Sequence, residues 1–151
     1  MDRPFKKILI PMDGSGYSMR VGEYGVRLAK AYGMKIVSLY VIDERTLTTV
    51  GRLGDGELEK VRRNLRREGE TCLHYVEELA SQEGVDFASR IMEGSPHRVI
   101  VELAEQEDVD LILIGKVGQR GPRRILIGSV TERVLEATKR PVLVMRSESP
   151  D

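Results

Sequence analysis

The chain has 151 residues, and its 24 basic and 24 acidic side chains cancel; 40% of it is hydrophobic and 32% charged. That length fits one domain over residues 1–151, and the composition excludes a disordered chain. The charge balance argues against a broad polyanion face, hence against nucleic acid as a partner, and no apolar run approaches the ~18 residues of a membrane span.

Met1 to Lys7 leads directly into Ile8-Leu9-Ile10, too short and too strand-like for a signal peptide. With one cysteine, Cys72, no internal disulfide can form. Both features suit a soluble protein of a reducing cytoplasm. Lys7 to Met12 reads as the first strand, its continuous apolar residues being the pattern of a strand buried on both faces. Tyr17, Val21, Tyr24, Leu28 and Ala31 then form a helical stripe ending near Gly33. Gly22 and Gly25 weaken that helix by about 1 kcal/mol each relative to alanine, so close packing is expected there. Ile36 to Ile42 is the second strand. Asp43 to Gly56 carries several glycines and no clear period, and reads as a loop.

Leu58, Val61, Leu65, Cys72, Val76 and Leu79 mark a long amphipathic helix, with Cys72 on its apolar stripe. Arg62, Arg63, Arg66 and Arg67 read as its solvated face, laced with Glu57, Glu59, Glu68 and Glu70. Asp86 to Met92 is the third strand, less apolar and therefore expected at an edge. Ser95 reads as an N-cap with Pro96 as the first helical residue, followed by the stripe Ile100, Leu103 and Ala104. Asp110 to Ile114 is the most apolar strand and is expected to be central. Ser129 opens the last helix, Pro141 to Met145 is the last strand, and the tail from Ser147 is expected to fray.

Strand–helix alternation throughout implies right-handed crossovers, a parallel sheet and helices on both faces. In such sheets ligands sit at the carboxyl ends of strands where strand order reverses, which directs attention past Met12, Ile42 and Ile114. The segment after Ile114 is the informative one. Gly115 and Gly118 precede Gly128-Ser129-Val130-Thr131 and a helix, and from 116 to 127 lie Lys116, Arg120, Arg123 and Arg124 with no acidic residue. Glycines admit close backbone approach, a helix N-terminus offers unpaired N–H groups to an anion, and this local positive charge would offset a triphosphate. Ser129-Val130-Thr131-Glu132 is equally a capping box, which would explain Ser129 with no ligand.

Gly-x2-Gly-x9-Gly-Ser, carried by Gly115, Gly118, Gly128 and Ser129, resembles the nucleotide-binding motif of the ATP-binding universal stress proteins. Ile8-Leu9-Ile10-Pro11-Met12-Asp13-Gly14-Ser15 resembles the opening strand and turn of that family. The stretch from Gly128 to Val134 with Arg140-Pro141-Val142-Leu143-Val144 resembles its closing helix and strand, so the likeness covers nearly the whole chain. Lys116-Val117 depart from the small polar and histidine residues usual there, and Gln119 from a common arginine. The resemblance implies an open five-stranded parallel sheet in order 3-2-1-4-5, of the Rossmann-like, adenine nucleotide alpha hydrolase-like kind. It implies ATP or another adenine nucleotide as ligand, with Mg²⁺ bridging the phosphates. It places Asp13 at the nucleoside, counts Pro11 and Met12 among the ATP-binding residues, and sets the Val41 backbone at the adenine. Gly115 and Gly118 would pass beneath the ribose and phosphates, and Gly128, Ser129, Val130 and Thr131 would hold the phosphates. It also implies a homodimer through the last strand.

From the residues alone, Asp13 fits an Asx turn or helix cap as well as a ligand contact, and Val41 is simply core. Gly14-Ser15-Gly16 begins like a dinucleotide fingerprint, but Met19 stands at its third glycine. His74 and His97 are too far apart, and lack the companions, for a zinc site. No residue is assigned a catalytic role, since the glycine segment offers no histidine or glutamate to position a water. The reading is of an ATP-binding stress-response or signalling module with at most slow hydrolysis. The alternatives are a nucleotide-free dimeric interaction module and a slow ATP-hydrolysing enzyme. An ATP pyrophosphatase on a related fold would require a Ser-Gly-Gly-x-Asp-Ser turn that Asp13-Gly14-Ser15-Gly16 does not supply.

Overall fold

The structure, a computed structural model, describes residues 4–116 and 127–146. The elements run β1 (Lys7–Met12), α1 (Gly16–Tyr32), β2 (Lys35–Asp43), α2 (Glu44–Gly51), α3 (Asp55–Gln82), β3 (Phe87–Gly94), α4 (Pro96–Gln106), β4 (Leu111–Gly115), α5 (Ser129–Ala137) and β5 (Val142–Met145). The sheet has five strands in order β3-β2-β1-β4-β5, and every pairing is parallel. This is the order that the resemblance implies, and β3 is an edge as its weaker apolar character suggests. β4 is interior, between β1 and β5, while the middle strand is β1.

Two apolar layers explain why the inner strands read as unbroken hydrophobic runs. Ile8, Ile10, Met12 and Tyr40 face one side, where Val21 and Val26 of α1 and Leu73 and Val76 of α3 cover them. Leu9, Leu39, Ile112 and Ile114 face the other, against Ile100 and Leu103 of α4 and Val134 of α5. Period-two alternation, with both faces buried, leaves no room for a polar residue in β1 beyond Lys7 at its start, or in β4. The one polar side chain fully buried in β2, Ser38, donates to the Ile10 carbonyl at 3.0 Å, so it brings its own partner inside.

Two local readings are corrected. The segment after β2 is not a loop: residues 44–51 form α2, because Asp43 caps it by accepting from the Arg45 N–H at 2.9 Å and Leu47 turns into the core. One buried residue in eight gives too little periodicity for the eye, whereas the cap is local and suffices. At α5, Gly128 is the N-cap and Ser129 already helical, with no side-chain capping bond, so the capping box does not form.

Close packing does account for the glycines of α1, where a Cβ on Gly25 would lie 2.3 Å from Ile10 Cδ1. Gly69 of α3 plays the same part against Tyr40 of β2. A Cβ there would stand 2.6 Å from Tyr40 Cδ1 and 2.8 Å from Cγ, atoms too near the backbone to swing aside. Gly69→Ala should therefore destabilise the fold by up to about 2 kcal/mol, overpacking costing about 1–3 against the ~1 gained in helix propensity. Chemical denaturation measures it, and a raised midpoint would show that the ring can move.

Candidate functional site

The carboxyl ends of β1, β2 and β4 open into a cleft of about 490 Å³. Its floor is built from strand ends: Pro11, Met12 and Asp13 from β1, Val41, Ile42 and Asp43 from β2, Ile114 and Gly115 from β4. Arg45 and Thr46 of α2, Leu65 and Glu68 of α3, Pro96 and Ile100 of α4, and Gly128 with Ser129, Val130 and Thr131 of α5 form the walls. The volume is that of a small-molecule site. A second, more open depression of about 430 Å³ lies between α3 and β3, lined by His74 and Ser89 among others. No helix N-terminus or strand end built for an anion lines it.

Sequence reasoning placed Pro11, Met12, Asp13, Val41, Gly115, Gly128, Ser129, Val130 and Thr131 together, and all of them line the cleft. Gly118 lies outside the described residues, as do Arg120, Arg123 and Arg124.

The α5 end of the cleft is held by short bonds. The Gly128 N–H donates to the Lys116 carbonyl at 2.7 Å, and the Thr131 hydroxyl donates to the Gly115 carbonyl at 2.7 Å. Thr131 is buried and its proton is committed, so any contact it makes to a ligand as a donor comes from its backbone. The Glu132 N–H is the first of the helix to find an intrahelical carbonyl, that of Gly128 at 2.9 Å. The N–H groups of Ser129, Val130 and Thr131 have no partner within α5, so they form a first turn suited to an anion.

On the β1 side the local-turn reading of Asp13 is realised. Its Oδ1 accepts from the Ser15 N–H at 2.9 Å and from the Ser15 hydroxyl at 2.5 Å, while Ser15 caps α1 by accepting from the Ser18 N–H at 3.1 Å. Gly14 between them holds φ at +82°. The Asx turn does not remove Asp13 from the cleft; it fixes the carboxylate at the cleft floor.

Glu68 is exposed, in keeping with the solvated face of α3, but its part in the cleft is not legible in that reading. Arg62 pairs with Glu59 and Glu93, whereas the Glu68 carboxylate lines the cleft and accepts from the Tyr40 hydroxyl at 3.1 Å. Spacing points to it. Glu68 stands three residues after Leu65 and four before Cys72, squarely on the apolar stripe. Burial first, then the Glu68 charge, holds the Tyr40 hydroxyl above the usual tyrosine range.

A parallel α/β sheet with its cleft where strand order reverses, between β1 and β4, is a Rossmann-like protein whose cleft lies at the topological switch point, the place where such sheets hold ligands. The chain belongs to the universal stress protein family, whose family model matches residues 4–146. It is 37% identical over 142 residues to the universal stress protein MJ0531 of Methanocaldococcus jannaschii, covering 94% of this chain and 82% of that one. It is 29% identical to the universal stress protein YxiE of Bacillus subtilis, covering 94% and 99% of the two chains. The solved structure of MJ0577, also of Methanocaldococcus jannaschii, superimposes with a TM-score of 0.82 at 30% identity over 97% of this chain and 99% of that one.

Cys72 lies behind the cleft, buried, with its Sγ 3.6 Å from Met19 Sδ. Burial pushes its thiol up to about 11 against an ordinary value near 9, with an opposing contribution from the Gly14 backbone. A raised thiol pKa stabilises the fold fully below the unfolded value and loses that contribution as pH climbs from about 9 through 11. At pH 8 the folded thiol should react with a thiol reagent ~100-fold more slowly than in denaturant, following the thiolate fraction. Equal rates would place Cys72 at the surface.

Proposed function

We propose that the cleft binds an adenine nucleotide, ATP in particular, and that the protein works as a nucleotide-responsive binding module rather than a fast hydrolase. The observation that carries this is the first turn of α5: the N–H groups of Ser129, Val130 and Thr131 stand at the wall of the cleft without intrahelical partners. A negatively charged phosphate group supplies what they lack. Opposite, the apolar end formed by Val41, Ile42, Pro96 and Ile100 suits a flat base, with the peptide groups at Val41 to read its edge. Asp13 contacts the nucleoside between the two ends, with Pro11 and Met12 beneath it. Gly115 and Gly128 admit the ribose and phosphates, joined on sequence grounds by Gly118.

No group of three metal-ligating side chains is found among the described residues, so Mg²⁺ is held by the phosphates themselves and water. Two universal stress proteins of the same fold, 22% and 19% identical to this chain, were crystallised with cAMP and dAMP. At those identities the likeness is one of fold, and the argument for a nucleotide here rests on this chain's own cleft.

A ligand at 100 times its dissociation constant stabilises the fold by about 2.7 kcal/mol. Mg·ATP should therefore raise Tm by about 5–10 °C in protein shown to be free of nucleotide, and GTP by less. Gly128→Val should abolish the shift and leave the apo fold intact: its backbone, at φ −69° and ψ 154°, suits any residue, and only space at the ligand is lost. No shift at millimolar adenine nucleotide would refute the proposal. A full shift in Gly128→Val would refute the part given to the glycine.

We also infer that two copies pair through β5. Among the described residues the strand is an edge, bonded only to β4, and Leu143 leaves 39% of its surface exposed on it. The Ile112 and Lys116 N–H groups donate to the Pro141 and Met145 carbonyls, so 141, 143 and 145 face β4 and the peptide groups of Val142 and Val144 face outward. Free outward groups on an apolar edge favour antiparallel pairing across a two-fold axis. Light scattering should report twice the chain mass, and Val144→Pro, which deletes an outward donor, should halve it. A wild-type monomer at micromolar concentration would rule the pairing out.

A further inference from the structure

The proposed ligand is an anion, yet three carboxylates, Asp13, Asp43 and Glu68, line its cleft; Asp43 is already paired with Arg45, its Oδ2 2.7 Å from the guanidinium. A carboxylate beside a polyphosphate is repulsive unless it holds a donor or a cation. Asp13 already spends Oδ1 on Ser15. Glu68 is anchored differently. Its Oε2 accepts from the hydroxyl of the buried Tyr40, and its Oε1 reaches over Gly14, where a Cβ would come within 2.7 Å of it.

Position along the cleft says which part of the ligand Glu68 meets. Phosphates belong at α5, beyond β4, and the base at the end of β2. The sugar between them lies over the end of β1, beside Asp13 and Gly14, where Glu68 enters from α3. We propose that Glu68 accepts a hydrogen bond from a ribose hydroxyl and makes the cleft selective for ribonucleotides over deoxyribonucleotides; this rests on the nucleotide reading above. Tyr40 is the positioning residue. Its hydroxyl stays protonated across the physiological range, because burial and the neighbouring Glu68 charge both oppose its ionisation, so it donates to Glu68 throughout.

Calorimetric titration of nucleotide-free protein with ATP, 2′-deoxyATP and 3′-deoxyATP, each with Mg²⁺, tests the assignment. A hydrogen bond to a charged group corresponds to about tenfold or more in affinity. The wild type should prefer ATP by about that factor over at least one deoxy analogue. Glu68→Ala should bind ATP only as well as that analogue, and its affinity for the analogue should be unchanged. Tyr40→Phe, which keeps the carboxylate but frees it to move, should lose part of the preference, and melting curves confirm that both variants fold. Equal wild-type affinity for all three ligands, or a preference that survives Glu68→Ala, overturns the assignment and leaves nucleotide binding standing. So does an equal loss for all three that appears only with Mg²⁺, which would make Glu68 a cation holder. Failure of wild type to bind ATP at all overturns both readings.

Discussion

The end of β4 and the start of α5 are joined by two short hydrogen bonds, from the Gly128 N–H to the Lys116 carbonyl and from the Thr131 hydroxyl to the Gly115 carbonyl. Most of what the site can do depends on that join. A helix N-terminus attracts anions only if it is aimed, and its effect falls away within the first turn. Thr131 supplies the aim, and its burial keeps water from competing for the Gly115 carbonyl. The Lys116 N–H in turn donates to the Met145 carbonyl at 2.8 Å, so the last residue of β5 is tied to the same corner. The first turn of α5 and the sheet edge therefore share one backbone junction.

The cleft is electrically uneven, and this follows from which element supplies each wall. α5 presents N–H groups, whereas β1 and α3 present the carboxylates of Asp13 and Glu68. A ligand that is negative at one end and carries hydrogen-bond donors further along fits such a field, while a uniformly anionic one does not. The apolar residues at the end of β2 add a wall that suits a flat ring. The proposed nucleotide would thereby meet a different stretch of the same cleft with each of its phosphate, sugar and base.

The parts of this arrangement legible in the sequence are those set by backbone chemistry. Buried strands announce themselves as unbroken apolar runs, as Ile8 to Ile10 and Leu111 to Ile114 do, and glycine spacing marks Gly115 and Gly128. What escaped depended on tertiary partners. α2 has a single buried residue, Leu47, so its pattern is invisible until Asp43 is seen to cap it. Ser129 satisfies the capping-box pattern, but Gly128 takes the cap, because its N–H is bonded to Lys116. Glu68 reads as one more exposed charge on an arginine-rich helix, and the bond from Tyr40, 28 residues away on β2, is what ties it to the cleft. A lone carboxylate on an apolar stripe is a signal, and here it was outvoted by its neighbours.

The central claim is that the first turn of α5 receives phosphate. Backbone amide NMR tests it most directly, through titration of the nucleotide-free protein with Mg·ATP and, separately, with adenosine. The account predicts large shifts at Ser129, Val130 and Thr131 with ATP that adenosine does not reproduce, while amides near Val41 respond to both. Saturating ATP that leaves those three amides unmoved, or that shifts only residues between α3 and β3, would contradict it.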